Sequence, residues 1–556
     1  MAGYIGNKAV NLSTSGADIS GTANLDAVDI DGAVQIDATL SVGVNDTGYD
    51  VKFFGATASR HMTWDESADS LIISGDLDVN DGTIKLDGNY PVGTNNVALG
   101  NTALDDGSLS GNNNTAIGKA TLTGNTSGGE NTAVGTNALQ TNSTGSSNVG
   151  LGTNALAANT TASYSTAVGY QALYANMTGA NNVAVGGLSL DANTTGDQNV
   201  AVGTSALGAL TAGDKNVAIG NSTLSQFNVT DGSETFNTAV GYAAGGAVTT
   251  GILNTLIGGL AGDALTDADH NVAIGYQSLT TDTLGSRAVA IGREALGTQN
   301  FTSATDNYNI AIGYQAGKAV TTGTQNTFLG GLAGDATTNT SDNVAIGYFA
   351  LSAASGGTNV AVGSQVLANC TGYDNTAMGQ TAGNALTSGH NNLFLGHDSG
   401  RTGSPGGNYT TESDHIVLGD EDIVEAHIQV DWSVASDQRD KTDFTALDLG
   451  LDFVKSLAPV TYKWDKRSKY GDKYTDGYDL NAQSPDGTHK EDWLDIGFKA
   501  QEVQALEEAA GYTAAAKKNL TVSTSGDGKQ MSLQYSKFIP ILVKALQELS
   551  AKNDAL

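Results

Sequence analysis

A five-residue phrase, Asn-Val-Ala-Ile-Gly or a near variant, recurs through the middle of this chain and limits what it can fold into. It first appears at Asn96 and closes for the last time at Gly396. Its closing glycines are Gly100, Gly118, Gly135, Gly152, Gly169, Gly186, Gly203, Gly220, Gly241, Gly258, Gly275, Gly292, Gly313, Gly330, Gly347, Gly363, Gly379 and Gly396, eighteen copies in all. Most steps are 17 residues; the others are 16, 18 and 21. So regular a period means one small unit stacked on copies of itself, and it overrides any domain count taken from length. A flexible Gly/Asn/Thr linker would not hold register over that span.

Within one copy, Asn96-Val97-Ala98-Leu99-Gly100, the first and third apolar residues point one way and the alanine the other. This is the period-two alternation of a strand. The middle residue is alanine in all but four copies, which carry Gly150, Leu256, Phe328 and Phe394. A position held that small implies a close approach on its face, with the same coil of another chain as one candidate. The leading residue is asparagine except at Ser165 and Ala288, and stacked asparagines can form hydrogen-bonded ladders. The closing glycine permits a positive φ where the chain turns. A weaker half follows, as in Tyr170-Gln171-Ala172-Leu173, so each repeat reads as strand, turn, short strand, turn. At one strand spacing per coil, eighteen coils make a rod roughly 85 Å long.

Runs such as Asn271-Val272-Ala273-Ile274-Gly275 resemble the head repeat of trimeric autotransporter adhesins, and similar runs occur in phage tail fibres. The resemblance implies a trimeric, left-handed, parallel β-roll.

Composition agrees with a thin rod: only 39% of residues are hydrophobic and 6% aromatic, with 72 glycines among 556 residues. A net charge of −32 argues against nucleic acid and anionic membrane surfaces as direct partners. The single cysteine, Cys370, excludes an intrachain disulfide and a cysteine zinc site. The opening residues lack the basic start and apolar run of a secretory signal, and no stretch reaches the length of a transmembrane span. The histidines are scattered, with only His390 and His397 near each other, and neither a metal nor a cofactor is expected.

Taken in order, residues 1–30 form a polar segment suited to attachment. Residues 31–90 read as a small β module, with strands at Val34–Leu40, Tyr49–Phe54 and Asp76–Val79 and a hairpin over Trp64–Ile73. Residues 91–404 are the repeat array. No proline lies between Pro91 and Pro405, as expected where ladders need every N–H. Gly-Gly-Leu-Ala-Gly-Asp-Ala occurs at Gly258–Ala264 and again 72 residues later at Gly330–Ala336, so a block of four coils is duplicated. Each copy of the block opens with a 21-residue coil. The extra residues, near Asn228–Glu234 and Phe301–Asp306, are expected as surface loops and are candidates for ligand contacts.

Composition changes after Gly400: 17 of 26 basic residues and three of four tryptophans lie beyond it, which marks a domain of another class. Residues 405–435 read as a connector and 436–556 as that domain. Its expected elements are helices over Phe444–Leu457 and Ala500–Ala509, a strand over Val460–Trp464, a hairpin joining Leu520–Val522 to Met531–Tyr535, and a last helix from Ser536. On that helix Ile539, Leu542, Leu546, Leu549, Asn553 and Leu556 are spaced as a coiled-coil seam; packing on its own domain is the competing reading. The fold class expected is mainly β: a trimeric β-solenoid rod of eighteen repeats, then a small α+β domain ending in a coiled-coil helix.

The chemistry lies at the start of this domain, in Ser436-Asp437-Gln438-Arg439-Asp440-Lys441. Leu457-Ala458-Pro459-Val460-Thr461-Tyr462-Lys463-Trp464 and Gly497-Phe498-Lys499-Ala500-Gln501-Glu502-Val503 follow. In that order these runs resemble the endosialidase-type intramolecular chaperone, which ends many phage tail spikes and fibres. As bare residues Ser436 and Lys441 fit an ordinary turn. The resemblance implies that the domain trimerises the fibre and then cuts itself away, with Ser436 as nucleophile and Lys441 as general base. A lysine whose pKa is lowered by burial can serve a serine in this way. Asp437 and Arg439 are expected to orient the turn by ion pairing.

The expected protein is therefore a homotrimeric phage tail fibre for host attachment, made in the host cytoplasm and carried on the virion. Its expected partners are two further copies of itself, a tail or baseplate protein at the N-terminal end, and a host receptor that is a glycan or outer-membrane component. Only single-turnover self-cleavage is expected, with no external substrate. Two alternatives come from other classes. A polysaccharide-degrading tail spike would need a cleft with paired carboxylates, which a thin repeat does not offer. A bacterial trimeric surface adhesin would carry a signal and a membrane anchor.

Overall fold

The structure is a computed structural model that describes residues 51–54, 61–65, 70–74, 94–429, 432–473, 475, 477–513, 515 and 520–556. The chain divides into two units, residues 1–86 and 87–556. In the first, Val51–Phe54, His61–Asp65 and Ser70–Ser74 form an antiparallel meander, Val51 opposite Trp64 and Trp64 opposite Leu71. The hairpin expected around Trp64–Ile73 is thus present. The attachment segment 1–30 and the strands expected at Val34–Leu40 and Asp76–Val79 lie outside the described residues.

The second unit is dominated by one parallel ladder. Nineteen three-residue strands, from Val97–Leu99 to Ile416–Leu418, pair each with the next along the chain. The register never slips: Ala98 pairs with Ala116, and Ala201 with Ala218. Stacked at the usual strand spacing, nineteen strands span about 86 Å. The sequence shows eighteen copies; the last strand is a degenerate one, in which His415-Ile416-Val417-Leu418-Gly419 stands for the motif. The His415 N–H still bonds the Asn392 side-chain carbonyl at 3.1 Å.

The second half of each coil is not a strand, contrary to expectation. It is a run of turns containing two left-handed residues, such as Gln171 (φ +56°) and Leu173 (φ +50°). These conformations cannot extend, but they aim the leucine inward, where it is fully buried. Two left-handed residues cost about 2–4 kcal/mol; burying the leucine offsets about 1.5–3 kcal/mol of that, and backbone bonds between coils, such as Gln171 N–H to the Thr153 carbonyl and Leu173 N–H to the Ser189 carbonyl, both at 3.0 Å, add to it. The small middle residue of the strand is explained the same way. It faces these leucines of its own chain: Gly150, for instance, looks onto Leu139. A neighbouring chain is not what confines it.

The exceptions to alanine are compensated in pairs. Leu256 lies between Gly245 and Gly262, Phe328 between Gly317 and Gly334, and Phe394 between Gly383 and Gly400. Those glycines occupy the turn position that elsewhere holds leucine. A β-carbon on Gly334 would stand 2.5 Å from the Phe328 ring. A large strand residue thus goes with a glycine turn and an alanine with a leucine turn, keeping the interior close-packed.

Asparagines bind the coils in two columns. In the leading column, an asparagine N–H bonds the side-chain carbonyl one coil earlier wherever that coil also carries asparagine, as Asn114 to Asn96 at 2.8 Å, while the Asn114 amide NH₂ clips the end of its own coil at Gly128. A second, fully buried column is an amide ladder through Asn125, Asn142, Asn159, Asn176 and Asn193. It stops because the next coil carries Leu210, which leaves the Asn193 Oδ1 buried without a partner.

The rest of the unit is a small α+β domain. Helix α1 (Leu451–Ser456) is shorter than the predicted Phe444–Leu457. Its first amide is capped by the carboxylate of Glu548, 97 residues away, at 2.8 Å, so the start is set by a distant partner. Val460–Tyr462 pairs antiparallel with Asp495–Gly497, and Val522–Thr524 with Met531–Leu533. Helix α2 (Ala500–Ala509) and helix α3 (Phe538–Asp554) complete it. Phe453, Val503, Phe538 and Ile541 form its core. Helix α3 therefore packs on its own domain through Phe538, Ile541 and Ala545, while Ile539, Leu542, Leu546 and Leu549 remain exposed.

The amide ladder makes a directional prediction. Asn159→Ala removes a donor and an acceptor from a buried chain of bonds and is expected to lower local stability by about 3 kcal/mol. Asn193→Ala removes only the donor side and should cost about 1 kcal/mol less. Amide hydrogen exchange in the coils on either side reads both; equal losses would show that the ladder is not what stabilises this column.

Candidate functional site

The predicted site lies in the stretch joining the ladder to the small domain. Residues 422–429 and 432–446 are exposed throughout. A single 3-10 turn, Gln438–Asp440, punctuates this stretch, and Asp437 caps it by accepting a hydrogen bond from the Arg439 N–H at 2.9 Å. The turn closes with Lys441 N–H donating to the Gln438 carbonyl at 3.2 Å. That curl brings the side chains five residues apart together: Lys441 Nζ donates to Ser436 Oγ at 2.6 Å. Arg439 forks onto the Asp437 carboxylate, with Nη2 at 2.6 Å from Oδ2. That guanidinium holds the Asp437 carboxyl below the usual carboxylate range. The structure therefore places all four predicted residues on one exposed turn, serine beside lysine and aspartate beside arginine.

Sequence reasoning missed what holds the small domain to the ladder. Three lysines on 466–473 converge on the acidic end of the last coils. Lys473 Nζ lies 2.6 Å from Glu421 and 3.2 Å from Asp398; Lys469 Nζ lies 2.6 Å from Asp422; Lys466 donates to the Glu421 carbonyl at 2.5 Å. Glu421 and Asp398 are buried. Burial alone would pull Lys473 down, yet the carboxylates of Glu421 and Asp398 outweigh it and hold the ammonium above the ordinary lysine range. The sequence signal was the concentration of basic residues beyond Gly400, opposite an acidic array.

His397, Asp398 and Asp420 offer three possible ligand atoms within 4.8 Å of one another. His397 Nδ1 is 3.0 Å from Asp420, while Asp398 is paired with Arg401 at 2.9 Å as well as with Lys473. Its charge is thus balanced from within the chain. The two insertions carry matching trios: Lys215 pairs with Glu234 and lies over Phe236, and Arg287 pairs with Asp306 and lies over Tyr308. Each is a cation over an exposed ring, Arg287 exposed and Lys215 half-buried.

Residues 436–512 match the family model described as chaperone of endosialidase. The match starts at Ser436 and covers the turn, α1, α2 and the sheet pairing between them. Neither curated proteins nor solved structures gave a match. The chain thus joins a region that matches the endosialidase-chaperone model to a long parallel β-solenoid. Among the described residues, no helix is long and apolar enough to cross a membrane.

The lysine clamp has a pH signature. Lys473 is raised in the fold, so its contribution is complete below the unfolded lysine value of 10.5 and fades as pH climbs through the higher folded value. Lys473→Ala, which strands the buried Glu421 carboxylate and leaves Asp398 to Arg401, is expected to weaken docking of the domain on the last coils by about 3 kcal/mol at neutral pH. It should also abolish the alkaline loosening. Hydrogen exchange over 398–421, followed with pH in both proteins, checks this.

Proposed function

We propose that this chain is the subunit of a homotrimeric phage tail fibre that serves host attachment, with a C-terminal chaperone that aligns three chains and then separates itself by cutting beside Ser436. The observation that carries the reading is the outer face of the ladder. Two residues of each strand point outward, 38 positions in all, and every one is aliphatic, methionine or threonine. Leu329 is 43% exposed and Met378 52% in the single chain. An uncharged face of that length on a chain of net charge −32 calls for a cover, and identical faces brought together supply it. Two further surfaces favour self-association: the exposed row Ile539, Leu542, Leu546 and Leu549 on α3, and Ile428, Trp432 and Val434 on the connecting stretch.

Assembly would also activate the turn. Chains packed over the connecting stretch would take water from the Lys441 ammonium and favour the neutral amine. The amine then takes the Ser436 hydroxyl proton as Oγ attacks an adjacent peptide carbonyl. The C–N bond breaks, the leaving amine receives the proton, and water hydrolyses the resulting ester to restore the hydroxyl. Asp437 and Arg439 keep the turn closed. The sequence of events suits a long parallel ladder, whose edges aggregate while unpaired. The N-terminal end would seat on a tail or baseplate protein and the rod would meet the host surface.

Intact mass and sedimentation test this together. The wild-type chain is expected to appear as trimers whose polypeptides are cut beside residue 436, whereas Ser436→Ala and Lys441→Ala stay whole within trimers. Uncut wild-type trimers would make the domain a permanent cap and remove the serine–lysine chemistry; monomers would remove the fibre.

A further inference from the structure

At the corner after each closing glycine, one residue per coil forms a column on the rod surface. Over seven consecutive coils the column reads Tyr242, Gly259, Tyr276, Arg293, Tyr314, Gly331, Tyr348. Its register is fixed by backbone bonds one coil apart: Leu260 N–H to the Tyr242 carbonyl at 2.9 Å, Gln277 to Gly259 at 3.1 Å, Gln315 to Arg293 at 2.9 Å. The four tyrosines are 64%, 50%, 48% and 57% exposed.

Tyr276 Cδ2 lies 3.6 Å from where a β-carbon of Gly259 would sit, and Tyr348 Cδ2 lies 3.7 Å from that of Gly331. Each ring lies over a bare glycine, at ordinary contact distance from where a side chain would begin. Where the intervening residue is arginine, its flat guanidinium lies 5.8 Å from the Tyr314 ring centroid. Elsewhere the same column holds Lys119, Thr136, Thr153, Asn221 and Gln380. It is therefore a solvent column, distinct from the uncharged sheet face, and about half or more of each tyrosine is left to solvent. The 72-residue duplication carried the Tyr-Gly-Tyr phrase with it, from 242–276 to 314–348.

Rings two coils apart repeat every ~9.6 Å along the rod. That is close to the repeat of an extended β-linked disaccharide, in which every second pyranose presents the same face. Pyranose C–H faces stack on aromatic rings, burying apolar area at small entropic cost. The chain's net charge of −32 repels polyanions, which leaves neutral chains.

We propose that Tyr242, Tyr276, Tyr314 and Tyr348 bind a linear, neutral, β-linked polysaccharide laid along the rod, one ring under every second sugar. This deepens the attachment reading above, which supplies the role of such a site; the stacking itself needs neither trimerisation nor self-cleavage. In a trimer the row would occur three times and gain avidity.

Calorimetric titration of the full chain with cellohexaose, mannohexaose and chitohexaose, each against its disaccharide, tests the row. At least one hexasaccharide is expected to bind about tenfold or more tightly than its disaccharide, because it spans several rings. Tyr276→Ala/Tyr314→Ala should lose about tenfold or more of that affinity, whereas Tyr276→Phe/Tyr314→Phe, which keeps the ring faces, should retain it. The proposal is overturned if no hexasaccharide outbinds its disaccharide, or if the alanine variant, folded by circular dichroism, binds as well as the wild type. Hexasaccharide binding by a chain that neither trimerises nor cuts itself would leave the row standing and remove the fibre reading; the reverse result would do the opposite.

Discussion

The corner at which one closing glycine rests on the next governs the rest of the molecule. At Gly152 φ is +137°, and a β-carbon there would stand 2.4 Å from the Gly169 carbonyl oxygen. The same backbone-on-backbone contact recurs from Gly100 to Gly379. Glycine is needed twice over, for the dihedral and for the missing side chain. With this corner at contact distance, each coil advances by one strand spacing, and every other position is forced to lie over its equivalent. The asparagine columns, the buried alanines and the exposed tyrosines are consequences of that stacking.

A coil this narrow has no room to vary its contents independently. Its interior is a strand residue facing two turn residues, so volume removed at one must be added at the other. Phe394 between Gly383 and Gly400, in place of alanine between leucines, is the plainest case. The outside is less constrained, and there the chain differentiates itself: an uncharged sheet face, a tyrosine row, and insertions bearing a cation on a ring. The charges needed to keep a long apolar rod soluble lie on its turns.

Where the ladder meets the small α+β domain, the covalent link and the noncovalent grip are separate features. The link runs through exposed residues and carries the Ser436–Lys441 turn. The grip is the pairing of Lys473 with buried Glu421 and Asp398. A cut at the turn would leave the grip intact, so departure of the domain would depend on how firmly those charges hold.

The sequence by itself determined the array, its parallel stacking, the strand in each copy, α2, the C-terminal hairpin and the serine–lysine turn. These follow from short-range pattern: a 17-residue period, period-two alternation, a glycine at each corner, and motif residues at close spacing. Only the tertiary structure decided the other half of each coil. Tyr170-Gln171-Ala172-Leu173 has the polarity of a weak strand, but stacking imposes left-handed dihedrals on Gln171 and Leu173. It also decided that α1 begins at Leu451, where Glu548 reaches its first amide, and that His415 stands where asparagine should to add a nineteenth strand. Lys473 likewise has its meaning only beside Glu421, 52 residues earlier in the chain. In each case the deciding partner lies far away in sequence, and a local pattern holds no record of it.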